Sequence, residues 1–391
     1  MTKLDGIRIL QIVKGIDIGG NSGGAESFGI RLAQSLREHG LEVSLCAYFQ
    51  YNTSVEIYWC NQLEHNGIEV FFACPSGKFH LFKVRKDIRI WLRDHHIDIV
   101  HSHYQVGTII SASIKLSNNY KFLVRTGHID LEFGASIYGM ISRLIFRDIV
   151  YPLLVDCEVG VSRSITQNLN QQIVRLMLHK SAIWIPNAIP KIIDTKQLNE
   201  SLENYIETKS EKQWIITTIG ILVPRKNIDL LIRAMPEVLS QIPHAKLVIT
   251  GGGPELNTLM NLSNELGISK YCWFLGQQQN IHSILEKSNI FILPSSSEGT
   301  STVVLEAIQN KVPIIASDIP GNRELIKDGI NGWLVPVGDI CELTNAIIRA
   351  YQHPDEIKRM AEEAYTLIEA YSMSNVCSKY MNIYSSLIQT T

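Results

Sequence analysis

The stretch Ile290-Phe-Ile-Leu-Pro294, followed by Glu298-Gly-Thr-Ser-Thr-Val-Val-Leu-Glu306, carries the strongest fold signal in the chain. The apolar run predicts a buried strand, and the second segment predicts a polar loop that enters a helix. A strand, loop and helix in this order direct backbone N–H groups and a helix dipole towards a bound anion. The two glutamates accept hydrogen bonds from sugar hydroxyls but repel phosphate. This combination favours a ligand such as a nucleotide sugar.

The rest of the chain predicts two domains with the same kind of fold. With 391 residues, the chain is longer than a domain with one ordinary hydrophobic core. Strand and helix patterns alternate in both halves, which predicts an α/β fold with parallel sheets. We expect an N-terminal Rossmann-like domain over 1–189, a linker over 190–211, and a C-terminal Rossmann-like domain over 212–371. A final helix at about 372–391 is expected to pack back against the first domain. Ligands of such folds bind in a cleft at the carboxyl ends of the strands.

The composition excludes several classes of protein. A net charge of −2 gives no support for bulk nucleic-acid binding. The 7 cysteines are scattered singly, without a Cys-x-x-Cys pair, which favours reduced thiols in the cytoplasm. No run of 18 apolar residues exists, so any membrane contact is expected to be peripheral.

Two further loops follow predicted strands of the second half. Gly220-Ile-Leu-Val-Pro-Arg-Lys-Asn227 places Arg225 and Lys226 where they could neutralise a pyrophosphate, although a solvated basic turn has the same composition. Gly251-Gly-Gly-Pro-Glu255 permits positive φ and close backbone approach to a ligand. Such a glycine-rich turn is also a common structural solution.

In order and spacing, these motifs resemble the retaining glycosyltransferases of the GT-B fold, of the group 1 or GT4 type. The resemblance covers nearly the whole chain. Gly23-Gly-Ala-Glu26 resembles the family's Gly-Gly-x-Glu, and Ile185-Pro-Asn-Ala188 resembles the family's Ile-Pro-Asn-Gly. The family resemblance implies two Rossmann-like domains that face each other across a cleft. The first domain would bind a glycan or lipid-linked acceptor, and the second would bind a UDP- or GDP-linked hexose.

The resemblance also implies roles for individual residues. The catalytic set is His128, beside the donor sugar, with Arg225, Lys226 and Glu298. Residues that bind the donor would be Gly23, Gly24, Gly252, Pro254, Gly299, Thr300, Ser301 and Glu306. The alternative for His128 is a purely structural role. The alternative for Glu298 and Glu306 is that they are ordinary charges on the surface of a helix.

No metal or cofactor is expected. His101 and His103 have a spacing that could suggest a metal, but no nearby cysteine or acidic triplet completes such a site. They could line the acceptor side instead. The chain also lacks the Asp-x-Asp triplet of metal-dependent transferases of the other common fold. We therefore predict a metal-independent enzyme whose nucleotide sugar is a substrate.

One departure from the family pattern opens an alternative. The family's loop usually begins Gly-Arg, whereas Ile221 follows Gly220 here. Arg225 could substitute for the missing cation, because its long fork could reach the same oxygens. The alternatives are a degenerate protein that binds a nucleotide sugar without turnover, and a GT-B enzyme of other chemistry, such as a nucleotide-sugar epimerase. An oxidoreductase is disfavoured, because the first glycine-rich loop is not Gly-x-Gly-x-x-Gly.

The segment from Lys78 to Arg93 is strongly basic. Leu81, Val84 and Ile88 fall with Trp91 on one helical face, and the cations lie largely on another. This pattern is typical of a helix with a solvated basic face. It also suits docking to anionic lipid, where each cation adds about 1 kcal/mol. The expected location is the cytoplasm, with peripheral contact at the inner face of the cell membrane, in surface polysaccharide or glycolipid assembly.

Overall fold

A computed structural model describes residues 4, 6–18, 23–74, 80–117, 119–128, 137–189, 213–278 and 280–389. The chain divides into two compact units. One comprises Met1–Ala188 together with Met373–Thr391, and the other comprises Ile189–Ser372. The predicted linker, 190–211, lies outside the described residues.

The first unit contains a parallel sheet of seven strands. They are β1 (Arg8–Val13), β2 (Glu42–Phe49), β3 (Glu69–Cys74), β4 (Ile99–Ser102), β5 (Phe122–Gly127), β6 (Cys157–Gly160) and β7 (Ile183–Trp184). Their order in the sheet is β3-β2-β1-β4-β5-β6-β7. From Ile9 onwards β1 is buried on both faces, as expected for a central parallel strand covered by helices on two sides.

Helices cover both faces of this sheet. They are α1 (Gly24–Glu38), α2 (Ser54–His65), α3 (Leu81–Asp94), α4 (Gln105–Lys115), α5 (Ile137–Ser142), α6 (Tyr151–Leu154), α7 (Arg163–Asn170) and α8 (Ile173–Met177), with the C-terminal helix Met373–Gln389. One apolar core joins α1 and α2 to the C-terminal helix. A second core, on the other face, joins α3, α4 and α6.

Two features of this unit differ from the sequence-based interpretation. A π-helix, Arg143–Val150, lies between α5 and α6, and none of its residues is fully buried, although Phe146 and Val150 pack against the second core. In α3, Val84, Ile88 and Trp91 are buried as predicted, but Leu81 is exposed. Leu81 begins the helix, ahead of the turn that packs on the sheet.

The second unit contains a parallel sheet of six strands. They are β8 (Trp214–Ile219), β9 (Ala245–Thr250), β10 (Cys272–Gly276), β11 (Ile290–Leu293), β12 (Ile314–Ser317) and β13 (Trp333–Val335), in the order β10-β9-β8-β11-β12-β13. Its helices are α9 (Ile228–Gln241), α10 (Leu256–Glu265), α11 (Ile281–Glu286), α12 (Thr302–Gln309), α13 (Pro320–Arg323), α14 (Ile340–Gln352) and α15 (Pro354–Tyr365). The C-terminal helix is α16. The predicted α/β class with two parallel sheets is confirmed.

Candidate functional site

In the second unit, the loops after four strands meet at the carboxyl edge of the sheet. Gly251 has φ +134°, and a Cβ there would lie 1.9 Å from the Gly220 carbonyl oxygen. Gly253 has φ +156°, and its Cβ would lie 2.4 Å from the Leu222 carbonyl oxygen. The Leu222 N–H donates to the Gly252 carbonyl over 2.9 Å. The positive φ predicted for this turn is confirmed, and it lets two loops lie directly against each other.

The two predicted cations converge on one carboxylate. Lys226 Nζ lies 2.5 Å from Glu298 Oε1, and Arg225 Nη1 lies 3.5 Å from Glu298 Oε2. The Lys226 side chain is 9% exposed, whereas that of Arg225 is 47% exposed. Gly220 leaves room for the lysine, because a Cβ there would lie 3.3 Å from Lys226 Cε. Two cations against one carboxylate give this cluster a charge of +1, which suits an anionic ligand.

The start of α12 adds backbone donors next to this cluster. Gly299, Thr300 and Ser301 follow Glu298, and the helix begins at Thr302. The Ser301 side chain makes no capping hydrogen bond, so first-turn N–H groups stay available to a ligand. Glu306 lies in the second turn and is half-buried. Pro254 is exposed in the turn that precedes α10.

Gly321 is a residue of this site that the predicted site residues do not include, although it lies in Asp318-Ile-Pro-Gly-Asn-Arg-Glu324, a segment after a strand that could line the cleft. A Cβ at Gly321 would lie 2.4 Å from the carbonyl oxygens of both Glu298 and Gly299. The loop that carries Glu298 therefore packs directly on the start of α13. The only signal for this contact is Asp318-Ile-Pro-Gly321 after a strand, which is also typical of an ordinary turn.

In the first unit, other predicted residues lie at the carboxyl edge of the sheet. Gly23 immediately precedes α1 and Gly24 is its first residue, and the Gly23 N–H donates to Glu26 Oε2 over 2.9 Å. His128 directly follows β5. The Phe28 ring of α1 meets the His128 ring edge-on, with 5.6 Å between centroids. The Glu26 carboxylate therefore caps the helix, while His128 stays half-buried beside it.

Three neighbouring histidines are held neutral. His101 and His103 lie at the end of β4, and the His103 ring centroid is 5.7 Å from that of His128. Burial and, to a smaller extent, the Arg125 charge lower the pKa of His128 to about 3, against a hydrogen bond with the Asn187 side chain that raises it. Burial likewise lowers the pKa of His101 to about 3 and that of His103 well below its usual value. At neutral pH these rings act as neutral hydrogen-bonding groups.

The structure thus gathers the predicted residues in two groups. Lys226, Arg225 and Glu298 share one sheet edge with the Gly252 turn and the start of α12, in the second unit. Gly23, Gly24 and His128 share a sheet edge in the first unit. Within the described residues, no three His, Cys, Asp or Glu side chains are placed to hold a metal ion. The catalytic and binding roles stay predictions.

Family models match both halves of the chain. The model described as "Glycosyl transferases group 1" matches residues 202–367. The model described as "Glycosyltransferase Family 4" matches residues 22–187. The chain belongs to the group 1 glycosyltransferases. The resemblance predicted from the sequence motifs is therefore confirmed.

Relatives of this group 1 glycosyltransferase are known by sequence and by structure. An N-acetyl-alpha-D-glucosaminyl L-malate synthase of Bacillus anthracis is 25% identical over 94% of this chain and 95% of its own length. A phosphatidyl-myo-inositol mannosyltransferase of Mycobacterium leprae is 23% identical over 93% of both chains. The crystal structure of HepE from Anabaena in complex with UDP and glucose superposes with a TM-score of 0.79 at 18% identity, covering 97% of this chain and 100% of that chain. The GT-B fold is thereby confirmed.

The described helices of this glycosyltransferase can be compared with the length and hydropathy that a bilayer requires. Across the part of the chain that the structure describes, none is both long enough and apolar enough to cross a bilayer.

Proposed function

We propose that this glycosyltransferase moves a hexose from a UDP- or GDP-linked donor to a hydroxyl of a glycan or lipid-linked acceptor, with retention and without a metal. The observation that carries the proposal is the cluster of Lys226, Arg225 and Glu298 beside the start of α12. It combines fixed positive charge, backbone donors and a carboxylate within one unit. A nucleotide diphosphate sugar has complementary groups, since its phosphates are anionic and its sugar carries hydroxyls.

In the proposed reaction, the acceptor oxygen bonds to the anomeric carbon as the bond from that carbon to the diphosphate oxygen breaks. The proton of the acceptor hydroxyl passes to the departing phosphate. Lys226 and Arg225 stabilise the negative charge that develops on the diphosphate. Glu298 orients the lysine and approaches the sugar hydroxyls. His128 is neutral, so its part is to orient a hydroxyl by hydrogen bonding.

The relatives support this choice of substrates. HepE was crystallised with UDP and glucose, which are the two parts of a nucleotide sugar donor. The Mycobacterium leprae relative is named for transfer to phosphatidyl-myo-inositol, a lipid. Synthesis of a surface polysaccharide or a glycolipid is accordingly the setting that we propose.

Nucleotide binding in excess EDTA tests the donor site. Among UDP, GDP and ADP, we expect UDP or GDP to raise the free energy of unfolding by about 2.7 kcal/mol at a hundred times its dissociation constant. Thermal melting of the full chain with each nucleotide measures this. A shift that needs added metal would contradict metal independence, and no shift with any nucleotide would contradict the donor site. Binding without turnover would favour the degenerate alternative suggested by Ile221, which is 50% exposed.

We also propose peripheral contact of the first unit with an anionic membrane. The outward side of α3 presents Phe82, 87% exposed, and Leu81 next to the exposed cations Lys83, Lys86 and Arg89. Apolar side chains with adjacent cations are complementary to lipid with anionic head groups. Further exposed apolar side chains lie on the π-helix and α8 of the same unit, and they are Leu144, Ile145, Ile149, Ile173, Leu176 and Met177.

Vesicle sedimentation tests this contact. Lys86→Ala is expected to weaken partition onto phosphatidylglycerol vesicles about fivefold, the equivalent of about 1 kcal/mol. Lys358→Ala, an exposed lysine of the second unit, is the matched control and should leave partition unchanged. Equal partition of the wild-type protein onto phosphatidylcholine and phosphatidylglycerol would contradict an electrostatic contact.

A further inference from the structure

A chain of six hydrogen bonds runs through the interior of the first unit and ends at His128. Its members belong to β1, to the carboxyl ends of β4 and β5, and to α16, and all except His128 are buried. From the sheet edge inward they are His128, His103, Gln11, Tyr384, His101, Thr126 and Tyr380. The successive donor–acceptor distances are 3.4, 2.7, 3.2, 2.7, 2.8 and 3.0 Å. The chain connects the C-terminal helix to a predicted site residue.

The Gln11 amide gives the chain its direction. Its Oε1 faces His103 Nε2 at 2.7 Å, and its Nε2 donates to the Tyr384 hydroxyl over 3.2 Å. A carbonyl oxygen only accepts, so His103 Nε2 must carry a proton. A neutral imidazole carries a single N–H, which leaves His103 Nδ1 as an acceptor. His128 Nε2 then donates to it, and His128 Nδ1, which carries no proton, can only accept.

The hydrogen bonds from Tyr384 to Tyr380 have their donors and acceptors in the same order. The Tyr384 hydroxyl accepts from Gln11, so its own proton points to His101 Nδ1 at 2.7 Å. His101 therefore donates from Nε2 to Thr126, and Thr126 donates to Tyr380. Turning the amide over would reverse every bond and move the His128 proton to Nδ1. The orientation of the buried Gln11 amide therefore determines the tautomer of His128.

Packing holds the central ring of this chain in place. A Cβ at Gly29 of α1 would lie 2.8 Å from His103 Cδ2, so the ring lies directly against the helix backbone. The His101 and His103 rings are also in contact, with centroids 4.2 Å apart. Because these rings are neutral at pH 7, each carries one proton and the single direction is kept.

We propose that Gln11 and Tyr384 are positioning residues that set which ring nitrogen of His128 carries its proton. With the proton on Nε2, His128 presents Nδ1 as an acceptor for a hydroxyl or amide donor. That the donor is a sugar hydroxyl rests on the proposed function. The assignment of the tautomer itself rests only on the hydrogen bonds of the first unit.

Histidine-detected NMR on the full chain, labelled with ¹⁵N-histidine, reads the tautomers directly. The His128 signals are identified by their loss in His128→Asn. We expect Nε2–H on His128 in the wild-type protein. Tyr384→Phe removes both the acceptor of the Gln11 amide and the donor to His101, so the amide is no longer held in one orientation. We expect an Nδ1–H population on His128 in this variant.

Tyr380→Phe is the matched control. It removes the same atom from the same helix, one turn away, and Tyr380 is equally buried. It leaves both contacts of the Gln11 amide in place, so the His128 tautomer should stay that of the wild type. An unchanged His128 spectrum in Tyr384→Phe would overturn the proposal. An equal change in both variants would also overturn it, because general packing would then be the cause.

Transfer kinetics test the last step separately. Tyr384→Phe is expected to lower kcat/KM about tenfold, which is the typical effect of losing one hydrogen bond, here the bond from a substrate hydroxyl to His128 Nδ1. Tyr380→Phe is expected to lower kcat/KM less. Equal losses in the two variants would overturn the link between tautomer and activity. A wild-type protein without transferase activity would defeat the proposed function and leave the NMR result to stand by itself.

Discussion

Lys226→Ala is expected to lower kcat about 10²–10³-fold, the typical cost of removing one preorganised group that stabilises transition-state charge. The lysine is 9% exposed and is held 2.5 Å from Glu298, so little reorganisation is needed when the diphosphate departs. Arg225 is more exposed and lies farther from the same carboxylate, so it cannot take the lysine's place. Steady-state transfer to a hydroxyl acceptor measures the effect.

Arg233→Ala is the matched control for this substitution. Arg233 is a half-exposed cation of α9 in the same unit, and its nearest carboxylate is Asp229 at 3.9 Å. Its removal should leave kcat unchanged, since exposed pairs of this kind contribute little. Melting temperatures of the two variants separate loss of activity from loss of fold. If a folded Lys226→Ala protein kept wild-type kcat, the lysine would have no part in the chemistry.

Glu158→Gln is expected to destabilise the first unit by about 3–5 kcal/mol. Glu158 bonds to both Arg125 and Arg175, and all three side chains are at most 3% exposed. The substitution would leave two buried guanidinium groups without a counter-charge. Burial, followed by the Arg125 charge, already lowers the pKa of Arg175 to about 10, which shows how poorly this interior tolerates a second cation. Denaturant unfolding of the full chain measures the loss.

Asp148→Asn supplies the comparison for a partly exposed pair. Asp148 bonds to Arg147, and both side chains are 27% exposed. Water screens this pair, so the expected change is less than about 1 kcal/mol. Similar losses in the two variants would contradict the claim that burial makes the Glu158 cluster costly to break.

The sequence predicts best those elements whose signal is local and continuous. The apolar run from Ile290 to Leu293 is the strand β11 residue for residue, because a parallel central strand is buried on both faces. The strand Trp333–Val335 has only three residues and is defined by pairing with β12, so no local pattern marks it. The π-helix Arg143–Val150 also lacks a clear local signal, since Phe146 and Val150 pack against a core while Leu144, Ile145 and Ile149 are exposed.

In the candidate site, too, local sequence signals predicted some features and tertiary packing decided others. Glycines, cations and carboxylates after predicted strands could be placed at a sheet edge, because the carboxyl ends of parallel strands share one edge. The sequence did not predict which of these residues are in contact with one another. Gly321 against the Glu298 loop, and Gly29 against His103, depend on how helices and loops pack.

The sequence by itself determined the alternation of strands and helices, the parallel α/β class and the family, because these depend on residue periods and motifs that are local. Only the tertiary structure decided that Lys226 and Glu298 meet across 72 residues, and that Gln11 bonds to Tyr384 across 373 residues. Contacts between such distant segments depend on strand register and helix packing. No local pattern encodes that geometry, and the protonation of His128 depends on it.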